Sequence, residues 1–333
     1  FESMGDGERY IRGGVVDPMP RKKINRILFH HHSLHQKTRH ENETIALDHL
    51  DELRDDFALR GRCEMFRVDL KSMAAAHQLH QGTNLRGHLV WAKMPHFQKL
   101  LTIRNVQAPE EDEDILQFFR EHHDPAIFME RHAMRRGEFR KLISPLVRSG
   151  HLVQDYRGGF KAVEPLATSD LWEVKRDYLR DLVKDYPVIT LKQVERLAGS
   201  PFSAEEISDV MREFEEDDTL IKGFLVDDMH DVCWGRHDLL EGSDVLSKTR
   251  DLVIPPSDPL IHYYGSLLRE RFGYGSAYLV FHREEPVAAF KANTREGVIH
   301  ITDFVGDSDL EKEALRVMKE FAWEHDMPLK GKL

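Results

Sequence analysis

One arrangement constrains this chain more than any other: two amphipathic helices run into a glycine-turned hairpin, and the same order recurs some 70 residues later. In the first copy, Ile115, Leu116, Phe118 and Phe119 begin a helix. Arg136 to Arg148 forms a second, with Phe139, Leu142, Ile143, Leu146 and Val147 on one face. Ser149-Gly150 ends that helix, and the strand-like stretches 151–156 and 160–163 flank Arg157-Gly158-Gly159. In the second copy, Leu171 to Lys184 is a helix that Pro187 breaks. Thr190 caps a short helix through Leu197, and Ser203-Ala-Glu-Glu206 is a capping box opening Ser203 to Phe214. Leu220 to Val226 and Val232 to Trp234 then pair around Asp227-Asp228. Helix, helix, hairpin is the winged-helix plan, and its repetition argues against an accident of propensity.

The rest of the chain divides around these copies. Residues 1–19 read as a disordered, glycine-containing lead. Residues 20–109 form an N-terminal, all-helical domain of winged-helix-like character, with helices expected at 22–34, 44–59, 68–79 and 97–103 and a strand or helix lead-in at 85–91. The acidic run Glu110 to Asp114 marks the next boundary. The two repeats are then a winged helix at 110–167 and another at 168–242. Residues 242–258 read as a linker punctuated by Pro255-Pro256, and residues 243–333 hold a small C-terminal α+β domain. Its strands are expected near 277–281, 286–290 and 298–301, and a closing helix at 310–325. The expected class is α+β, mainly α.

Charge separates the two repeats. The chain carries 47 basic and 58 acidic residues, a net −11 that by itself argues against a nucleic-acid partner. Its distribution argues otherwise. Arg131 to Lys161 holds eight Lys/Arg against Glu138 and Asp155, a net +6; residues 200–231 hold eleven acids against Arg212 and Lys222, a net −9. Phosphate meets one face, not a whole surface. Arg135, Arg136, Arg140 and Lys141 open the helix that enters the major groove in a winged helix, and Arg157 and Lys161 lie on the wing. Double-stranded DNA, damaged duplex included, is the expected partner of the first repeat. The second would repel it.

Other signals set limits. Two cysteines, Cys63 and Cys233, exclude a disulfide framework or a four-cysteine zinc site and suggest a reducing, cytoplasmic or nucleoid setting. No run approaches the length of a membrane span. His30-His31-His32 with His35 could suggest a metal, but adjacent histidines point apart; a surface or phosphate-contacting cluster is the reading, and no metal site is expected. Neither HExxH nor GxxxxGK[ST] occurs, so no motor and no cofactor are expected.

Several segments give the chain a family likeness. Asn84-Leu-Arg-Gly-His-Leu-Val90 resembles the "lRGTlHLV" segment of the AlkZ/YcaQ-like winged-helix DNA glycosylases, with His88 in place of the usual Thr. Trp234-Gly-Arg-His237 and Ile254-Pro-Pro-Ser-Asp-Pro-Leu260 are similar to that family's hairpin exit and "spfDPLl" stretch. The resemblance spans about residues 20–330. It implies DNA repair by hydrolysis of N-glycosidic bonds of alkylated or crosslinked bases, and places Arg86 and His88 among the DNA contacts. The family's catalytic Gln-x-Gln or Gln-x-Asp has no counterpart at Leu53-Arg-Asp-Asp-Phe57. There Asp55 or Asp56 could orient the attacking water, or both could be solvated acids of a helix face. A non-enzymatic winged-helix regulator and a protein–protein scaffold working through the acidic repeat are the alternatives.

Overall fold

The computed structural model describes residues 10–11, 14–15, 18–37, 47, 50–55, 57–63, 70–167, 170–227, 231–241 and 243–331. It is a mixed α+β structure. A two-residue hairpin, β1 (Tyr10–Ile11) with β2 (Gly14–Val15), lies within the leading stretch, and Met19 bridges Val226. Helix α1 (Arg21–His31) buries Ile24, Ile27, Leu28 and Phe29.

The expected helix over 44–59 is not continuous. Residues 50–55 are non-helical, and Leu53 exchanges both backbone hydrogen bonds with Trp91 (2.9 and 2.7 Å). Helical structure resumes only in α2 (Phe57–Arg60), followed by α3 (Leu70–His77). Nor is this region all-helical: β3 (Leu79–Thr83) and β4 (Leu89–Lys93) form a hairpin that leads into α4 (Met94–Arg104). Gly82 makes the packing possible, because a Cβ there would lie 2.7 Å from both Phe97 and Val153.

The first repeat comprises α5 (Glu113–Glu121), α6 (Pro125–Arg131), α7 (Arg136–Ser149), β5 (Leu152–Gln154) and β6 (Phe160–Ala162). Helix α6 carries no strong periodic signal; Asp124 caps it through the Ala126 amide and Pro125 opens it. Phe118, Phe119, Phe128, Phe139 and Phe160 form this repeat's own aromatic core. Strand β5 also pairs with β3, so the hairpin of the first repeat joins the preceding one in a sheet ordered β4-β3-β5-β6.

The second repeat runs α8 (Leu171–Val183), β7 (Val188–Thr190), α9 (Leu191–Ala198), α10 (Ala204–Glu216), β8 (Ile221–Gly223) and β9 (Cys233–Gly235), with β7 paired to β9 and β9 to β8. Strand β7 has no local signature. The capping boxes do: the Glu206 amide donates to Ser203 Oγ (3.1 Å) and the Ser203 amide to Glu206 Oε2 (2.8 Å).

After a short helix α11 (His237–Leu240), the expected linker contains a buried strand, β10 (Leu252–Ile254). It forms one edge of the sheet β10-β11-β12-β13-β14, with β11 (Tyr278–His282), β12 (Glu285–Arg295), β13 (Val298–Gly306) and β14 (Leu329–Lys330). Helices α12 (Leu260–Tyr263) and α13 (Gly265–Phe272) precede β11, and α14 (Glu311–Glu324) covers one sheet face through Ala314, Val317, Met318 and Phe321. The other face contributes Leu279 and Phe281 to a core shared with Phe29, Phe97, Leu179 and Phe214. A bidentate ion pair closes the arrangement: Arg26 donates to both oxygens of the buried Glu284 at 2.7 Å.

Candidate active site

The β3–β4 turn builds the site. Asn84, only 1% exposed, accepts the amides of Arg86 (3.1 Å) and His88 (2.9 Å) on Oδ1, which shapes the turn; Gly87 takes φ +79°. With its oxygen committed to two N–H groups, the carboxamide presents Nδ2 outward, and it donates to Glu52 Oε2 at 2.7 Å. Arg104 of α4 fixes the turn from behind, donating to the Thr83 and Asn84 carbonyls at 2.7 Å each. Thr83 Oγ1 in turn donates to the Val147 carbonyl (2.9 Å) near the C-terminus of α7.

Glu52 is a well-held anion. His96 Nε2 donates to its Oε1 at 3.0 Å, and Arg86 Nη2 lies 3.7 Å from Oε2. Burial alone would raise its pKa; the bond to His96, the charges of His96 and Arg86 and the Asn84 donor together hold it below the usual carboxylate value. Asp51 beside it is different. It stands exposed at the mouth of the cleft, with no hydrogen-bond partner among the described residues. The protein around it still strips enough hydration to raise its pKa, with Asp185 and Asp181 adding like charge against His96 and Lys184. Two adjacent carboxylates are therefore pushed in opposite directions, one anchored and ionised, the other exposed and easier to protonate.

These groups face a cleft of about 370 Å³. Trp91, Tyr178 and Tyr186 give it aromatic walls, and Leu47, Leu50 and Pro259 apolar ones. Lys99 (2.8 Å) and Lys184 (3.1 Å) neutralise Asp181 on the rim. Such a space suits a flat ring with a few fixed polar contacts.

The residues singled out in the sequence fall in different places. Arg86 is in the site; His88, two residues on in the same turn, does not line the cleft and is stacked on His262 with ring centroids 6.4 Å apart. Asp55 does not line the cleft; its Oδ1 accepts the Phe57 amide (3.0 Å) and the Ser257 hydroxyl (2.7 Å), opening α2. Asp56 lies outside the described residues. Arg135, Arg136, Arg140 and Lys141 are exposed at the start of α7, and their side chains have no ion pair among the described residues. Arg157 is exposed over the Tyr156 ring, and Lys161 is exposed on β6. The histidines after residue 29 make separate contacts: His30 stacks on His35 at 4.0 Å, while His32 bonds the Asp185 carbonyl (2.8 Å) and lines the cleft. Sequence reading missed Asp51, Glu52 and His96. The first two fell inside an expected helix, where their facing could not be set; only the Leu53–Trp91 pairing turns them toward the cleft.

Among the described residues no helix is long and apolar enough to cross a membrane, and no group of three or more His, Cys, Asp or Glu is placed to hold a metal ion. No family model matches the chain, and no curated protein sequence does. Among solved structures it is similar to the Streptomyces sahachiroi DNA glycosylase AlkZ, at 11% identity, a TM-score of 0.66, and coverage of 95% of this chain and all of that one. The turn of Asn84 to Val90 and the cleft it builds thus belong to a chain with the fold of AlkZ.

Proposed function

We propose that this protein binds duplex DNA through its first repeat and hydrolyses the N-glycosidic bond of a modified base in the Asp51–Glu52 cleft. The fold shared with a DNA glycosylase supports this reading. So does the order α8-β7-α9-α10-β8-β9 with β7 on β9, which fits a winged helix, as α5-α6-α7-β5-β6 fits a second. The basic copy receives DNA on α7 and its wing. The acidic copy, with Glu205, Asp209, Glu213 and Glu216 on α10, stays clear of phosphate.

The observation that carries the chemistry is the pair of unlike carboxylates. Neighbouring acids with separated pKa values mark a division of labour. Glu52, anchored by Asn84 and His96, provides fixed negative charge toward the sugar cation that develops as the bond breaks. Asp51, which has no hydrogen-bond partner among the described residues, orients a water and takes its proton. The water oxygen bonds to C1′, the C1′–N bond breaks, and the base departs with the electron pair. Asp55 acts at one remove, by holding Ser257 and the start of α2.

Incubation of the protein with duplex carrying alkylated or crosslinked bases, followed by alkaline strand cleavage, tests this. Asp51→Asn and Glu52→Gln should each lower release by about 10²-fold or more, the scale of a lost general base or electrostatic partner. Asp55→Asn should lower it far less. Tight duplex binding by wild type without base release would leave a DNA-binding protein and refute the hydrolase.

A further inference from the structure

We infer that Arg104 is a positioning residue for base release, holding Asn84 and the charge of Glu52 in place while tying their turn to α7; this rests on the hydrolase reading above. Arg104 closes α4 and is half-buried behind the β3–β4 turn. Its Nη2 donates to the Thr83 and Asn84 carbonyls at 2.7 Å each, and its Nη1 to the Ser149 carbonyl at 3.3 Å. Ser149 stands in the last turn of α7, where a helix runs out of its own donors. Thr83 Oγ1 supplies another such carbonyl, that of Val147, at 2.9 Å. Gly150 leaves the room: a Cβ there would collide with Arg104 Nη1. One guanidinium therefore spans the end of the helix read as the DNA contact and the turn that carries Asn84.

These bonds do not explain its charge. All three acceptors are neutral carbonyls, which an amide side chain could also serve. Burial lowers the pKa of Arg104, and the first charge that opposes this is that of Glu52. Asn84 stands between the two: its carbonyl accepts from Arg104, and its Nδ2 donates to Glu52 Oε2 at 2.7 Å. The guanidinium thus acts on Glu52 twice, by fixing the donor that faces it and by adding positive charge behind that donor. Both favour the ionised carboxylate, the form that meets a developing sugar cation. His96, Arg86, Tyr178, His88 and His262 also bear on Glu52, with Asp51 next to it in the chain, and none of them is altered below.

Two variants of the full chain separate charge from shape. Arg104→Gln keeps an amide donor and loses the charge; Arg104→Lys keeps the charge and loses the planar fork. With duplex carrying an alkylated base, Arg104→Gln should lower single-turnover release by about 10-fold, less than the loss of a group that touches the substrate. Duplex affinity should stay at the wild-type value, a split that marks an interaction felt in the transition state alone. Release by Arg104→Lys should fall between the two. The carboxyl carbon of Glu52, followed by NMR in isotope-labelled protein without DNA, should titrate at higher pH in Arg104→Gln and at the wild-type pH in Arg104→Lys. A Glu52 midpoint that rises in both variants or in neither overturns the inference, and so does release that falls only in proportion to duplex affinity. If wild type releases no base, the hydrolase reading fails by itself, while a midpoint that rises only in Arg104→Gln still upholds Arg104 as the residue that sets Glu52. Should Arg104→Gln not fold, Arg104→Lys decides: lowered release with an unmoved midpoint supports the inference, and a raised midpoint overturns it.

Discussion

Removing the carboxylate of Asp258 should destabilise the protein more than any surface substitution, because it takes a bidentate partner from a buried cation. Arg62 is completely buried and Asp258 is 2% exposed. Their bond is bidentate: Arg62 Nη1 lies 2.6 Å from Oδ2 and Nη2 3.3 Å from Oδ1. Arg62 also donates from Nε to the His32 carbonyl (3.0 Å) and from Nη1 to the Ala58 carbonyl (2.7 Å), while Asp258 Oδ1 accepts the Leu260 amide (2.9 Å) and opens α12. One guanidinium thus ties the C-terminal end of α1, helix α2 and the entry to α12. In Asp258→Ala the two bonds from Arg62 to backbone carbonyls remain but the Asp258 carboxylate and its bond to the Leu260 amide are lost, and breaking a buried pair from one side costs about 3–5 kcal/mol. Removing both charges is different, since apolar replacement of a buried pair is often neutral. Arg62→Met combined with Asp258→Leu should therefore recover most of the loss. Urea unfolding, followed by tryptophan fluorescence and by far-ultraviolet dichroism, gives the numbers. A cost below about 1 kcal/mol for Asp258→Ala, the range of an exposed pair, would refute the reasoning. So would a double variant no better than the single ones.

Two further predictions concern packing and pH. Gly82→Ala places a methyl 2.7 Å from Phe97 and Val153, both in the core, and should cost about 1–3 kcal/mol by overpacking; a melting temperature equal to wild type would count against the close β3–α4 approach. His325 is buried between Phe57 and Phe321, at 4.7 and 4.3 Å, and its pKa is pushed down to about 3 by burial and then by Arg60, Lys37 and Arg250. With its folded value below the ordinary 6.5, protonation favours the unfolded chain. Stability is full above pH 6.5 and falls as pH drops toward 3. His325→Phe should flatten that decline in unfolding curves taken from pH 7 to 4, and an unchanged slope would exclude His325 as its source.

The sequence by itself determined what a few neighbouring residues can decide. The spacing of Phe139, Ile143 and Leu146 makes α7, Gly150 ends it in the left-handed region at φ +88°, and Ser203 with Glu206 starts α10. Each is settled within one or two helical turns, so a linear reading suffices. The charge contrast between the repeats was legible for the same reason; the turn containing Arg86 and His88 was not, because 85–91 read as a strand or helix lead-in in a helical block and only the pairing of β3 with β4 makes it a turn. Tertiary structure alone decided the rest. Strands β7 and β10 are three residues long, and such runs become strands only when β9 and β11 arrive from far along the chain to satisfy their backbone groups. The cleft is the extreme case: Glu52 is bonded to Asn84, 32 positions away, and to His96, 44 away. Periodicity could not orient it, because the segment that holds it follows the edge of β4 instead of a helix of its own.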